Sequence, residues 1–232
     1  MKPWLFVRLT VVMLAFVSNV LACAPSLPEP PRTVTPAATI RASTPTVPAR
    51  TPVAETARQP ELDKGTQIAL AAQAQVGVTT TYDPQYVRLD YPNGDVPLER
   101  GVCTDVVVRA FRTIGVDLQV RVHEDMKKSF ALYPKDWGMT SPDWNIDHRR
   151  VQNLTKYFER AGKQVKTSDA DENFKPGDVV AWQLDSWMQH IGIVAAEKVD
   201  GTNRYYVIHN IGAGTQKEDV LHSYTIIGHY RW

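Results

Sequence analysis

From Asp63 onward, apolar positions recur with recognisable periods. Ile68, Ala69, Ala72 and Val76 follow Asp63 at helical spacing, and Gly77 supplies a stop, so the pattern predicts a first helix capped by Asp63. Residues 82–100 show no period and are rich in Tyr, Pro, Asn, Gly and Asp. With the turn-forming run Pro92-Asn-Gly-Asp95 they read as a structured loop. Val106, Val107, Ala110, Phe111 and Ile114 predict a helix over 102–114 that Gly115 ends. Val151, Leu154, Phe158 and Ala161 predict another, with Asp147 as its cap and Gly162 as its terminator. The second half changes character: residues 179–184, 190–195, 205–211 and 224–230 are short runs of Val, Ile and aromatics, as strands require. Asp200-Gly201 predicts a two-residue hairpin turn between the second and third of these. Helices followed by an antiparallel meander imply an α+β domain over residues 63–232, without internal repeats.

The first 62 residues cannot share that core. Lys2 and Arg8 flank an apolar run from Leu9 to Phe16, the pattern of a secretion signal. The run is too short for a bilayer, which needs about 20 apolar residues. Val20-Leu-Ala-Cys23 resembles a bacterial lipobox, in which Cys23 would be lipid-modified and become the first mature residue, although Leu21 departs from the usual small residue. Cleavage after Ala24, directed by Ala22 and Ala24, is the alternative. Residues 24–62 hold nine of the chain's 16 prolines and seven threonines, with no glycine. Such a segment cannot bury a core, and at about 3.1 Å per residue it would reach up to roughly 120 Å from an anchor. The expected order is signal and lipobox (1–23), Pro/Thr-rich tether (24–62) and one globular domain (63–232). The expected location is the bacterial cell envelope, as a membrane-anchored lipoprotein or a secreted or periplasmic protein.

Charge narrows the partners. Lys and Arg number 26 against 25 Asp and Glu, a net +1, which gives no electrostatic reason to expect a nucleic acid.

Either fate of Cys23 leaves Cys103 as the one cysteine of the mature body. A lone cysteine is often an inert small hydrophobe. Cys103, however, falls in the first turn of a predicted helix, where the macrodipole and free N–H groups favour a thiolate and an oxyanion alike. A nucleophilic cysteine also needs a base and a group to orient it. If Asp200-Gly201 makes a two-residue turn, Gly192 lies opposite His209 and His190 is a diagonal neighbour on the same face. The same parity sends Asn210 to the other face.

Phe174-Lys-Pro-Gly-Asp-Val-Val-Ala-Trp182, His190-Ile-Gly-Ile-Val194 and Val207-Ile-His-Asn210 resemble the sequential core strands of NlpC/P60 cysteine peptidases, which have a papain-like core. The resemblance implies Cys103 as nucleophile, His190 as base and His209 as third member. It also implies a tyrosine near the site, for which Tyr82 is the candidate; a packed loop aromatic is the other reading. Asp105 stands where that family usually has a small residue, and either caps its helix or faces substrate. A closer resemblance spans residues 63–232 through Gly101-Val-Cys-Thr-Asp105, Ile146-Asp-His-Arg-Arg150 and Gly228-His-Tyr-Arg231, and is to domain-of-unknown-function family 1287.

Arg149 and Arg150 are candidates to grip a carboxylate bidentately, or are solvated charges at a helix start. Trp182, Trp187 and Met188 line a groove or pack a hairpin. His123, His222 and His229 read as packing or surface residues. A zinc site on Cys103, His190 and His209 is disfavoured by the lack of paired-ligand spacing, and no cofactor is expected. The leading expectation is hydrolysis of an amide in peptidoglycan peptides; acyl transfer to lipid or protein on the same core, and a non-catalytic wall-binding lipoprotein, are the alternatives.

Overall fold

The computed structural model describes residues 62–232, so the expected signal, Cys23 and the tether lie outside the described residues. Helix α1 (Lys64–Gln73) is capped by Asp63, whose carboxylate accepts the Thr66 N–H, and the chain turns out through Gly77 at φ 78°. Strands β1 (Thr81–Tyr82) and β2 (Arg100–Gly101) pair in parallel and close the 82–100 loop at its base. Helix α2 (Cys103–Arg112) begins on the cysteine itself. Gly115, at φ 73°, reverses the chain at its far end, where the Val116 N–H returns to the Phe111 carbonyl.

Helix α3 (Leu118–Ser129) has no counterpart in the expectations from sequence. Asp117 caps it, and Leu118, Val122 and Met126 are its buried stripe. Helix α4 (Val151–Arg160) starts later than expected, and Asp147 does not cap it. Asp147 lies instead in a 3-10 turn (Asp147–Arg149), fully buried, with Oδ2 against His123 Nδ1 at 2.9 Å and the Asp143 N–H at 2.8 Å. The buried His123 outcompeted the helix start for that carboxylate.

Strands β3 (Val179–Gln183), β4 (Gln189–Lys198), β5 (Tyr205–Asn210), β6 (Thr215–Glu218) and β7 (Thr225–Tyr230) form one antiparallel sheet in the order β6-β5-β4-β3-β7. The first four are a meander; β7 departs from it and returns to the far edge beside β3. Helices α1 and α2 pack on β4, and α4 on β4 and β7. Between these layers lies the main core, with Val106, Ala110 and Phe111 of α2 against Ala181, Ile191, Ile193 and Ile208. Each Val, Ile or Phe side chain among them taken fully from water contributes about 1.5–3 kcal/mol. A second cluster covers the other face, where Val180, Trp182, Val194 and Val207 meet Phe174 and Leu221.

The turn between β4 and β5 corrects the expected hairpin. Val199 donates to the Arg204 carbonyl, so the loop holds four residues rather than Asp200-Gly201 alone. Lys198 pairs with Tyr205, and a bulge in β4 then shifts the register so that Val194 faces Val207 and Ile193 faces Ile208. Two extra loop residues and a two-residue bulge cancel, and Gly192 ends opposite His209. A Cβ on Gly192 would stand 3.0 Å from His209 Cβ and 2.8 Å from Val207 Cγ1, which shows how closely the strands approach there.

Candidate active site

Cys103 is the first residue of α2 and only 5% exposed. Ahead of it the Val102 N–H donates to Asp105 Oδ2 at 2.7 Å, the backbone half of a capping box. Asp105 is in turn held by Arg149, whose Nε lies 3.0 Å from Oδ1 and whose Nη2 lies 3.0 Å from Oδ2. The same guanidinium donates to the carbonyls of Asp83 and Gln85. The carboxylate that Arg149 grips bidentately is therefore Asp105's own, and the pair ties the start of α2 to the loop that follows Tyr82. Arg109 stitches the other end of that loop, reaching both Asp95 oxygens, Thr79 Oγ1 and the carbonyls of Val96 and Arg100.

Beside the thiol opens a cleft of about 520 Å³, bordered by Tyr82, Val102, Cys103, Trp137, Arg149, Arg150, Trp187, Met188 and Gln189 among others. Tyr82 is 38% exposed there, its partner across β1 and β2 being Gly101, two residues before the cysteine. Burial pushes its hydroxyl up to about 12, with Cys103 and Asp105 adding to the effect, so it stays a neutral donor. Trp187 and Met188 reach the cleft, whereas Trp182 is buried on the second face and donates to the Leu221 carbonyl.

His190 and His209 meet as strand parity requires: His190 Nε2 lies 2.8 Å from His209 Nδ1. Trp182 stacks on His190, with ring centroids 5.9 Å apart. Both histidines rise from the sheet face that carries Trp182, while Cys103 packs with Ile191 on the helical face. The thiol sits against the Ile191 N–H, one residue from His190, but among the described residues no hydrogen bond joins it to either imidazole. Asn210, sent to the other face, donates to the Gly101 carbonyl at 3.0 Å and pins the end of β5 to the segment before the cysteine.

One electrostatic expectation is reversed. Burial pushes the Cys103 thiol up to about 12, outweighing the N–H groups of Ile191, Thr104 and Cys103 that favour a thiolate, with Asp105 adding to the rise. Burial, and then His209, hold His190 down to about 3. The resting pair is thus a neutral thiol and a neutral imidazole. Burial also lowers His209, opposed by Glu218, a residue on the overlooked strand β6. Glu218 Oε2 is 2.9 Å from His209 Nε2 but off the ring N–H axis, a charge contact rather than an aligned hydrogen bond. Parity along β6 would have exposed Glu218 had that strand been read.

The remaining histidines serve elsewhere. His229 bonds the buried Asp178 at 2.7 Å, and the exposed His222 contacts Asp171. Among the described residues no three His, Cys, Asp or Glu side chains gather as a metal site.

A family model described as Domain of unknown function (DUF1287) matches residues 69–232. The chain belongs to the DUF1287 family. It is 52% identical over 175 residues to Uncharacterized protein YijF of Escherichia coli (strain K12), covering 74% of this chain and 84% of that protein. Of solved structures, NlpC1 from Trichomonas vaginalis matches at TM-score 0.41 and 12% identity, over 75% of this chain and 46% of that one. NlpC2 from the same organism matches at 0.42 and 11%, over 75% and 49%. This chain thus spans about half the length of those two, and at that likeness nothing about chemistry follows from them.

Proposed function

We propose that this domain is a cysteine hydrolase that cleaves an amide bond in peptidoglycan peptides outside the cytoplasm. The observation that carries the reading is the placement of Cys103 at the N-terminus of α2, in the wall of a cleft, with its thiol against the Ile191 N–H, next in sequence to a His190 already bonded to His209. Cys103 Sγ attacks the carbonyl carbon as its proton passes to His190 Nδ1, the ring nitrogen that His209 leaves free. The ion pair so formed offsets by mutual attraction the burial that keeps each group neutral alone. First-turn N–H groups of α2 and the Tyr82 hydroxyl, which borders the same cleft, are the donors assigned to the oxyanion in this mechanism. His190 then protonates the leaving amine, the C–N bond breaks, and water activated by His190 hydrolyses the thioester to a carboxylic acid and free thiol. Catalytic hydrogen bonds commonly close only around substrate, and the mechanism requires His190 to close on the thiol in that way.

Glu218 supports the tautomer this needs. A carboxylate only accepts, so it favours a proton on His209 Nε2; His209 Nδ1 then accepts from His190 Nε2–H, and His190 Nδ1 keeps its lone pair. Location supports the substrate: the signal-like start, the lipobox-like run ending at Cys23 and the Pro/Thr-rich segment suit a lipid-anchored enzyme that reaches the wall. None of the helices among the described residues is long and apolar enough to cross a membrane.

The test incubates purified peptidoglycan with the full chain and with its Cys103→Ala and His190→Ala variants, and reads released fragments by mass spectrometry. Fragments should require both residues. Release by the Cys103→Ala protein, or none from any form while a wall peptidase works alongside, refutes the reading.

A further inference from the structure

We propose that the cleft binds a carboxylate of its ligand through Arg150. The inference deepens the hydrolase reading, since it places the anion in the cleft that Cys103 borders. Arg149 and Arg150 are adjacent in sequence and both border that cleft, yet their surroundings are opposite. Arg149 is already engaged by Asp105 and two carbonyls, through four of its five N–H donors. Arg150 has no carboxylate within ion-pair distance among the described residues, and its one protein acceptor there is the Met139 thioether. Its guanidinium carbon lies 4.5 Å from the centroid of the Trp137 ring. Stacking occupies the flat face of the guanidinium and leaves its in-plane N–H fork for an oxyanion.

The aromatic platform is itself held in an unusual state. Trp137 adopts φ 63°, a backbone conformation that a bulky side chain enters only at a cost, and the residue stays 59% exposed. Partial burial pulls the Arg150 pKa down, whereas Asp147, Asp143 and Asp136 favour its charge. The group is a retained, partly desolvated cation whose donors meet no oxygen acceptor among the described residues. Val151 and Gln152, the opening residues of α4, border the same cleft and add the positive end of that helix. The nearby aspartates decide the class of anion: they disfavour a dianionic phosphate and tolerate a single carboxylate charge, which a planar bidentate fork also fits.

The experiment uses the full chain carrying Cys103→Ala, so that hydrolysis cannot consume the probes, and measures binding by calorimetry. The probes are N-acetyl-Ala-Glu-amide against N-acetyl-Ala-Gln-amide, N-acetyl-Ala-Ala against its C-terminal amide, and inorganic phosphate. At least one acid should bind about tenfold or more tightly than its amide, a gap of about 1.4 kcal/mol. Arg150→Gln should erase that gap and Arg150→Lys should keep part of it; circular dichroism verifies that both fold. Acids that bind no better than their amides, a preference that survives Arg150→Gln, or phosphate binding as tightly as the acid each overturns the proposal. The acid-to-amide comparison needs no Arg150 variant. Since it does not read turnover, loss of the hydrolase reading would leave it standing, and its own failure would leave Cys103-dependent hydrolysis intact.

Discussion

Replacing Arg149 by Met should be among the most damaging single changes outside the reacting groups. The side chains of Arg149 and Asp105 are 2% and 4% exposed. Without the guanidinium, Asp105 keeps only the Val102 N–H as an aligned donor, and a carboxylate is left charged and dry at the start of α2. Breaking a buried pair on one side costs about 3–5 kcal/mol. For a domain of this size each kcal/mol moves Tm by about 2–4 °C, so the midpoint should fall by roughly 6–20 °C. The control is Arg204→Met: Arg204 meets Asp219 at 2.6 Å, shorter than the Arg149 contact, but those side chains are 29% and 36% exposed. Solvent screening limits that loss to about 1 kcal/mol or less. Urea denaturation of both variants, and of Asp105→Leu with Arg149→Met, checks the argument. The double variant should be more stable than the sum of its singles predicts, by at least about 1 kcal/mol. A loss below about 1 kcal/mol for Arg149→Met, or equal losses at the two pairs, refutes the reasoning that burial and not distance sets the worth of the contact.

Further outcomes follow from single side chains. Gly192→Ala should cost about 1–3 kcal/mol in urea denaturation, because its Cβ would crowd His209 Cβ and Val207 Cγ1; unchanged stability would show that β5 yields freely there. His148 is held down to about 3, by burial first and then by Arg112 and Arg149, so the unfolded chain takes up its proton near 6.5 and the native state does not. Stability should therefore fall as pH drops from about 6.5 towards 3, and His148→Leu should flatten that slope by on the order of 3 kcal/mol at pH 4; an unchanged slope contradicts this. Glu218→Leu should leave the fold intact, lower turnover severalfold, and shift the His209 ring nitrogens in 15N spectra away from the Nε2–H form, whereas identical spectra would remove Glu218 from the relay.

Much of this architecture is legible in the sequence because it depends on local periods. Apolar spacing located α1, α2 and four of the five strands of the main sheet, and parity placed His190 beside His209. The hairpin reached the right register by a wrong path, since a bulge cancelled the longer loop. What stayed hidden depends on long-range competition. Asp147 looks like a cap until His123, 24 positions away, takes its carboxylate. Arg149 looks like a substrate grip until Asp105 is found 44 positions earlier. Strand β6, TQKE, carries no apolar alternation, so neither it nor Glu218 stood out. The raised Cys103 pKa was missed because a helix N-terminus is visible in sequence, whereas the depth of burial is not.

The central claim is that Cys103 forms a covalent acyl intermediate. Muropeptides mixed with the wild-type chain and quenched in acid within a turnover, followed by peptide mass mapping, test it most directly. The account predicts an added mass equal to the acyl half of the cleaved substrate, located on Cys103, labile to hydroxylamine and absent from Cys103→Ala. Turnover with no such adduct, or an adduct on another residue, would contradict it.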